Sequence, residues 1–131
     1  MLKSINYWSF VGKDIYEAMD LAKKAGFEGI ELALMETGDL TPDSTDEQLA
    51  RIRAYAEKLD LKLPSLANGL CWGASFTAED PAERDEAHRI VVAQLRAAKA
   101  LGADTILVIP GSVSVEFAPE RPVVPYDVCW D

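Results

Sequence analysis

Cysteine is scarce in this chain of 131 residues: Cys71 and Cys129 lie far apart and match no metal or redox spacing. A disulfide framework and a thiolate metal site are therefore excluded, and two separate thiols remain. Histidine is scarcer still. His88 stands alone among Glu86, Ala87 and Arg89, so no Ser-His-Asp order can be argued, and a helix-surface or packing role is the plainer reading. Basic residues number 13 against 22 acidic ones and never cluster. The resulting formal charge of −9 repels a phosphate backbone and makes nucleic acid a poor partner. No glycine-rich phosphate loop occurs. Apolar runs stay well short of the roughly 20 residues that cross a bilayer, and the opening MLKSINYWSF has no secretory-signal pattern. The expectation is a cytoplasmic chain without membrane contact.

What is present is a core. Apolar residues make up 49% of the chain, enough for one domain of this length and too few for two. Three segments read as helices by both cap and period. In KDIYEAMDLAKKAGFEG, Asp14 caps, Glu17 stands three residues on, and Ile15, Ala18, Met19, Ala22 and Ala25 share a face before Gly26 ends it. In DSTDEQLARIRAYAEKLD, Ser44 or Thr45 caps, Glu47 or Gln48 completes a capping box, and Leu49, Ile52, Ala56 and Leu59 form the stripe. The third segment starts with Asp80 as cap and Pro81 in the first helical position. It buries Ala87, Val91, Leu95 and Ala98 and stops at Gly102.

Between the helices lie the apolar runs SINYWSF, GIELAL, LKLPSLA and DTILVIPG. The last is apolar at consecutive positions from Ile106 to Ile109, as suits a strand covered on both faces of a parallel sheet. The order is β-α-β-α-β-α-β, which is α/β architecture. Each helix returns to its strand through a short turn, whereas METGDLTPDS, NGLCWGASFTAED and GSVSVEFAPERPVV are long strand exits. With all strands parallel, these exits gather at the carboxyl edge of the sheet, where α/β proteins place their ligand sites.

Two parallel-sheet solutions compete. A doubly wound sheet is complete with about four or five strands, while a (βα) barrel of the TIM type needs eight and would leave a concave face carrying Tyr7, Leu32, Leu66 and Val108 open here. The ending VVPYDVCWD favours the barrel. Tyr126, Val128 and Trp130 read as the first buried turn of a fourth helix, with Pro125 near its start. Residues 1–131 are thus expected to be a single amino-terminal half of a (βα)8 barrel, about four of its βα units, cut or continued at the start of that helix.

Candidate ligand residues sit at the strand ends. Glu31, inside GIELAL, must point into the mouth or be paired, because an unpaired buried charge is costly; a hydrogen bond beneath the site floor explains it equally well. Asn68 can donate to and accept from a hydroxyl, or simply turn the chain before Gly69. Trp8 and Trp72 can wall a pocket against the C–H face of a sugar, with core packing the alternative, above all for Trp8. Gly111, in PGSV, lets the backbone approach a ligand or merely makes a turn.

GFEGIELAL, LPSLANGLCW, DPAERDEAHRIVVAQLRAAKALGADTILVIPG and VVPYDV resemble the amino-terminal half of the sugar phosphate isomerase/epimerase family, the xylose isomerase-like barrels that include ketose 3-epimerases. The resemblance implies an enzyme that removes a proton next to a ketose carbonyl with the help of a divalent metal, Mn, Mg, Co or Zn. It places the metal ligands, and the catalytic residues with them, on later strands, so this segment alone would bind no metal and be inactive. Trp8, Glu31, Asn68, Trp72 and Gly111 carry over as substrate-binding candidates for a sugar or sugar phosphate. Relatives that cut DNA carry metal-binding histidines after the third and fourth strands; here Ile109 precedes Pro110, and SLANG has no histidine, which argues against a nuclease. Two alternatives stay open: a non-catalytic half-barrel that self-associates through its open face as a sugar-binding or assembly module, and a keto-inositol dehydratase-like lyase.

Overall fold

The computed structural model describes residues 1–130. Strand β1 (Ser4–Asn6) leads through a 3-10 turn (Tyr7–Ser9) to helix α1 (Ile15–Lys24), then β2 (Gly29–Leu34), α2 (Asp46–Lys58) and β3 (Ser65–Asn68). A second 3-10 turn (Leu70–Trp72), the long helix α3 (Pro81–Leu101), β4 (Thr105–Ile106) and a short α4 (Tyr126–Trp130) complete the order. The four strands form one sheet in chain order, every pair parallel, with Ile5 beside Ile30, Leu32 beside Leu66 and Leu66 beside Ile106.

The helix starts and stops follow the local chemistry. Asp14 accepts from the Glu17 amide at 2.8 Å. Thr45, not Ser44, caps α2, and Gln48 returns the bond to the Thr45 amide at 2.7 Å. Asp80 accepts from the Ala82 amide at 2.9 Å. Gly102 ends α3 at φ +79, a left-handed turn that costs a glycine little.

Sheet sidedness decides the architecture. Ile15, Met19, Leu49, Ile52, Ala87 and Ile90 of the three helices share one buried cluster with Ile30, Leu32, Leu34 and Leu66. All three helices therefore lie against the same face, as in a (βα) barrel, and the sheet is not sandwiched between helices. The opposite face carries Asn6, Glu31, Ser65 and Thr105, none of them fully buried, and nearer the carboxyl edge Ala33 and Ala67, which are fully buried. This corrects one expectation: Leu32 and Leu66 belong under the helices, because the pleat alternates and Glu31 and Ser65 take the open side.

Three smaller expectations change as well. Strand β4 is short, and Leu107 is 42% exposed, so this run is not covered on both faces. The buried stripe of α3 keeps Ala87 and Ala98 as expected but adds Ile90, Gln94, Ala97 and Leu101, leaving Leu95 53% exposed. In α4, Tyr126, Val128 and Trp130 form the expected turn, yet all three are exposed, with the two aromatic rings stacked at 6.2 Å. Among the described residues no helix is long and apolar enough to cross a membrane.

Candidate functional site

The open face is polar because three strands are tied together there. Glu31 accepts from the Asn6 amide nitrogen through one carboxylate oxygen and from the Ser65 hydroxyl, at 2.8 Å, through the other. Each oxygen keeps a lone pair for a further donor, so the carboxylate can also take a ligand hydroxyl. Asn6 does a second job: its Oδ1 accepts from the Trp8 amide at 2.7 Å and fixes the turn that swings Trp8 out of β1. The Trp8 ring reaches across to the β3 exit, where a Cβ placed on Gly69 would lie 3.4 Å from Cζ2 of the ring. At 44% exposure, Trp8 covers that edge without being sealed into the core. Glu31 and Trp8 are thereby brought together through Asn6, a residue the sequence reading missed. Its signal was a strand-terminal Asn two positions before an aromatic.

Asn68 belongs to the other face. It is fully buried, donates to Oε1 of Gln94 at 3.2 Å and to Sγ of Cys71 at 3.3 Å, and accepts from the Leu70 amide at 2.8 Å. Its polar capacity goes into shaping the turn after β3, so the structure turns it away from the open face. Burial pushes the Cys71 thiol up, with the Asn68 bond opposing, which keeps the sulfur protonated. Gln94, also fully buried, spans the end of the β3–β4 ladder, with Nε2 donating to the Leu66 carbonyl at 2.9 Å and to the Leu107 carbonyl at 3.0 Å. A glutamine in the apolar stripe of a helix was the readable sign of this clamp. His88 lies on the exposed side of α3.

Trp72 meets Phe117 of the β4 exit edge to face, with centroids 5.2 Å apart and planes at 81°. Gly111 spends its missing side chain on packing: a Cβ there would sit 2.4 Å from the Thr77 methyl and hydroxyl. The β4 exit is further pinned by Arg121, which donates to the Gly73 carbonyl at 2.8 Å and pairs with Glu83. A cavity of about 570 Å³ lies behind this rim, between the β2 and β3 exits and α3. Three of its four charges are paired, Arg89 with Glu86 at 2.8 Å and with Asp43 at 3.1 Å, while Glu36 also lines it; the Arg89 bond holds the Glu86 carboxyl below its ordinary value. Among the described residues no three His, Cys, Asp or Glu side chains converge to hold a metal ion. The described residues do not fit a metal centre.

Residues 19–131 match the family described as xylose isomerase-like TIM barrel. No curated protein matches the chain by sequence. Among solved structures, a D-psicose 3-epimerase in the presence of D-fructose superposes with a TM-score of 0.74 at 20% identity, covering 98% of this chain and 44% of that one. A D-psicose 3-epimerase with D-tagatose, from Clostridium cellulolyticum H10, gives a TM-score of 0.67 at 21% identity, covering 81% of this chain and 36% of that one. The chain thus spans less than half the length of the solved barrels it resembles.

Proposed function

The chain belongs to the xylose isomerase-like TIM-barrel family, and from that premise we propose that it supplies half the mouth of a sugar isomerase or epimerase. The reaction is removal of a proton from the carbon beside a ketose carbonyl and its return on another face or carbon. In this reading the residues present bind and orient; they do not move the proton. Glu31, held by Asn6 and Ser65, accepts a sugar hydroxyl on the open face, and Trp8 walls one side. The divalent ion expected for such an enzyme would take its ligands from strands beyond those present, and no step is assigned to it. The observation that supports the reading best is a half-buried carboxylate among hydroxyl and amide groups, beneath a rim of long loops, on the fold of sugar epimerases.

In a complete barrel containing this chain, incubated in D₂O with Mn²⁺ and D-fructose, deuterium is expected on the carbon adjacent to the carbonyl, read by NMR. Residues 1–131 alone are expected to give none. A complete barrel that leaves every ketohexose unlabelled would sink the reading.

Self-association of the isolated chain is a second part of the proposal. Strands β1 and β4 each pair on one side only. A twofold axis along the barrel would join β4 of one copy to β1 of the other, twice, and close eight parallel strands. Each copy carries a formal charge of −9, so raising salt from about 0.05 to 0.5 M should strengthen the dimer by screening the repulsion. Sedimentation velocity reads this directly. A monomer at high concentration in both salts counts against it.

A further inference from the structure

The chemistry of the rim narrows the class of sugar. Phe117 is 71% exposed and Trp72 36% exposed, and they come from different strand exits. One exposed ring needs no explanation, but two rings joined edge to face and held in place make a built apolar surface. The holding is explicit. The loop bearing Phe117 is closed at its base by the Val124 amide donating to the Val113 carbonyl at 2.9 Å, with Val115 and Val124 buried inside it. Arg121 of the same loop then binds Gly73, the residue after Trp72, and Glu83. Both rings are therefore ordered before any ligand arrives, which removes an entropic cost of binding.

The surrounding charge is mainly acidic, although Arg89 of α3 pairs with Asp43 and Arg84 donates to the Ala78 and Glu79 carbonyls. Residues 35–45 carry three acidic side chains, 69–80 two and 107–125 two, while Arg121 is the one basic residue of all three exits. That guanidinium is engaged by Glu83 and Gly73. A phosphate dianion at this rim would meet an excess of carboxylates, whereas a neutral ring meets an aromatic face.

We infer that Trp72 and Phe117 form a preordered shelf for the C–H face of an unphosphorylated sugar, and that the acidic rim disfavours its phosphate ester. This rests on the sugar isomerase/epimerase reading above. The test is saturation-transfer NMR on the chain with D-fructose and with D-fructose 6-phosphate, at low and high salt. D-fructose should receive saturation at its C–H protons. Its affinity should fall about tenfold in Phe117→Ala and in Phe117→Leu, which keeps apolar bulk without a ring, and stay within about twofold in Phe117→Tyr. The phosphate ester should bind at least about tenfold more weakly at low salt, with the gap narrowing as salt rises. Phosphate-ester binding as tight as that of D-fructose, or D-fructose binding indifferent to Phe117, overturns the shelf and leaves the sugar reading standing. Binding of neither sugar overturns the shelf, and the D₂O experiment on the complete barrel then decides the sugar reading. Trp72→Leu supplies an independent arm should a Phe117 variant lose its native circular dichroism, and unchanged D-fructose affinity in it likewise overturns the shelf.

Discussion

Replacing Gln94 with alanine is expected to cost the fold about 3 kcal/mol, since a part-buried carbonyl and a buried amide lose their partners and a cavity opens around them. Leu66 keeps a bond to its carbonyl from the Leu107 amide at 3.0 Å, so the damage falls on the Leu107 carbonyl and on Nδ2 of Asn68. The Asn68 amide would retain only the weak acceptor Sγ of Cys71. Gln94→Leu separates the contributions: it fills the volume but still leaves both groups unpaired, and should cost about 2 kcal/mol. Urea unfolding measures both, as a lower midpoint at unchanged slope. A loss below about 1 kcal/mol for the alanine variant would mean that water or a shifted backbone satisfies these groups, and that Gln94 does not hold β4 to β3.

The same residue shows where sequence reading stops. Helix boundaries were legible because they are set within a few residues: Asp14, Thr45 and Asp80 each satisfy amides within the next turn, and Gly102 supplies a left-handed turn at no steric cost. The family pattern was legible for the same reason, since strand, exit and helix recur in order. The stripe of α3 was legible only in part: Ala87 and Ala98 are buried as read, and Val91 packs against the core. Counting apolar residues selected Val91 and Leu95, whereas the helix is rotated so that Gln94 enters the core and takes two carbonyls of the sheet. A polar residue can anchor a buried face when its partners come from elsewhere in the chain, and periodicity alone carries no record of them.

The candidate site divides along the same line. Glu31 was recognisable as a charge inside an apolar strand, but its partners Asn6 and Ser65 come from neighbouring strands and became visible only through register. Trp72 was singled out by its loop, while Phe117, 45 residues later, was passed over because nothing local distinguishes an exposed phenylalanine from a stray one. Asn68 takes the turn-forming role that its position before Gly69 also allowed, on the helix-covered face. In a parallel strand the side chain points to the helices or to the open side by parity, so a shift of one position moves a polar group from one face to the other. Asn68 shares parity with Leu66 and Leu34, and Glu31 with Ala33.

Parity also sets the second large effect. Leu32→Ala should cost about 3 kcal/mol, because Leu32 is 1% exposed in the cluster formed with α1, α2 and α3, and truncation there leaves a cavity that packed helices cannot collapse. Had Leu32 lain on the open face, as the apolar pattern first implied, the same change would remove a solvent-facing side chain and cost under about 1 kcal/mol. Thr105→Ala provides the control from the opposite side of the sheet, where the residue is exposed, and should shift stability by no more than about 0.5 kcal/mol. The contrast between the two variants in one urea series reads the sidedness of the sheet in solution. Near-equal small losses would show that the helices do not all pack on the Leu32 face. The polar open face would then no longer be the inside of a barrel, and Glu31 would have no claim on a sugar hydroxyl.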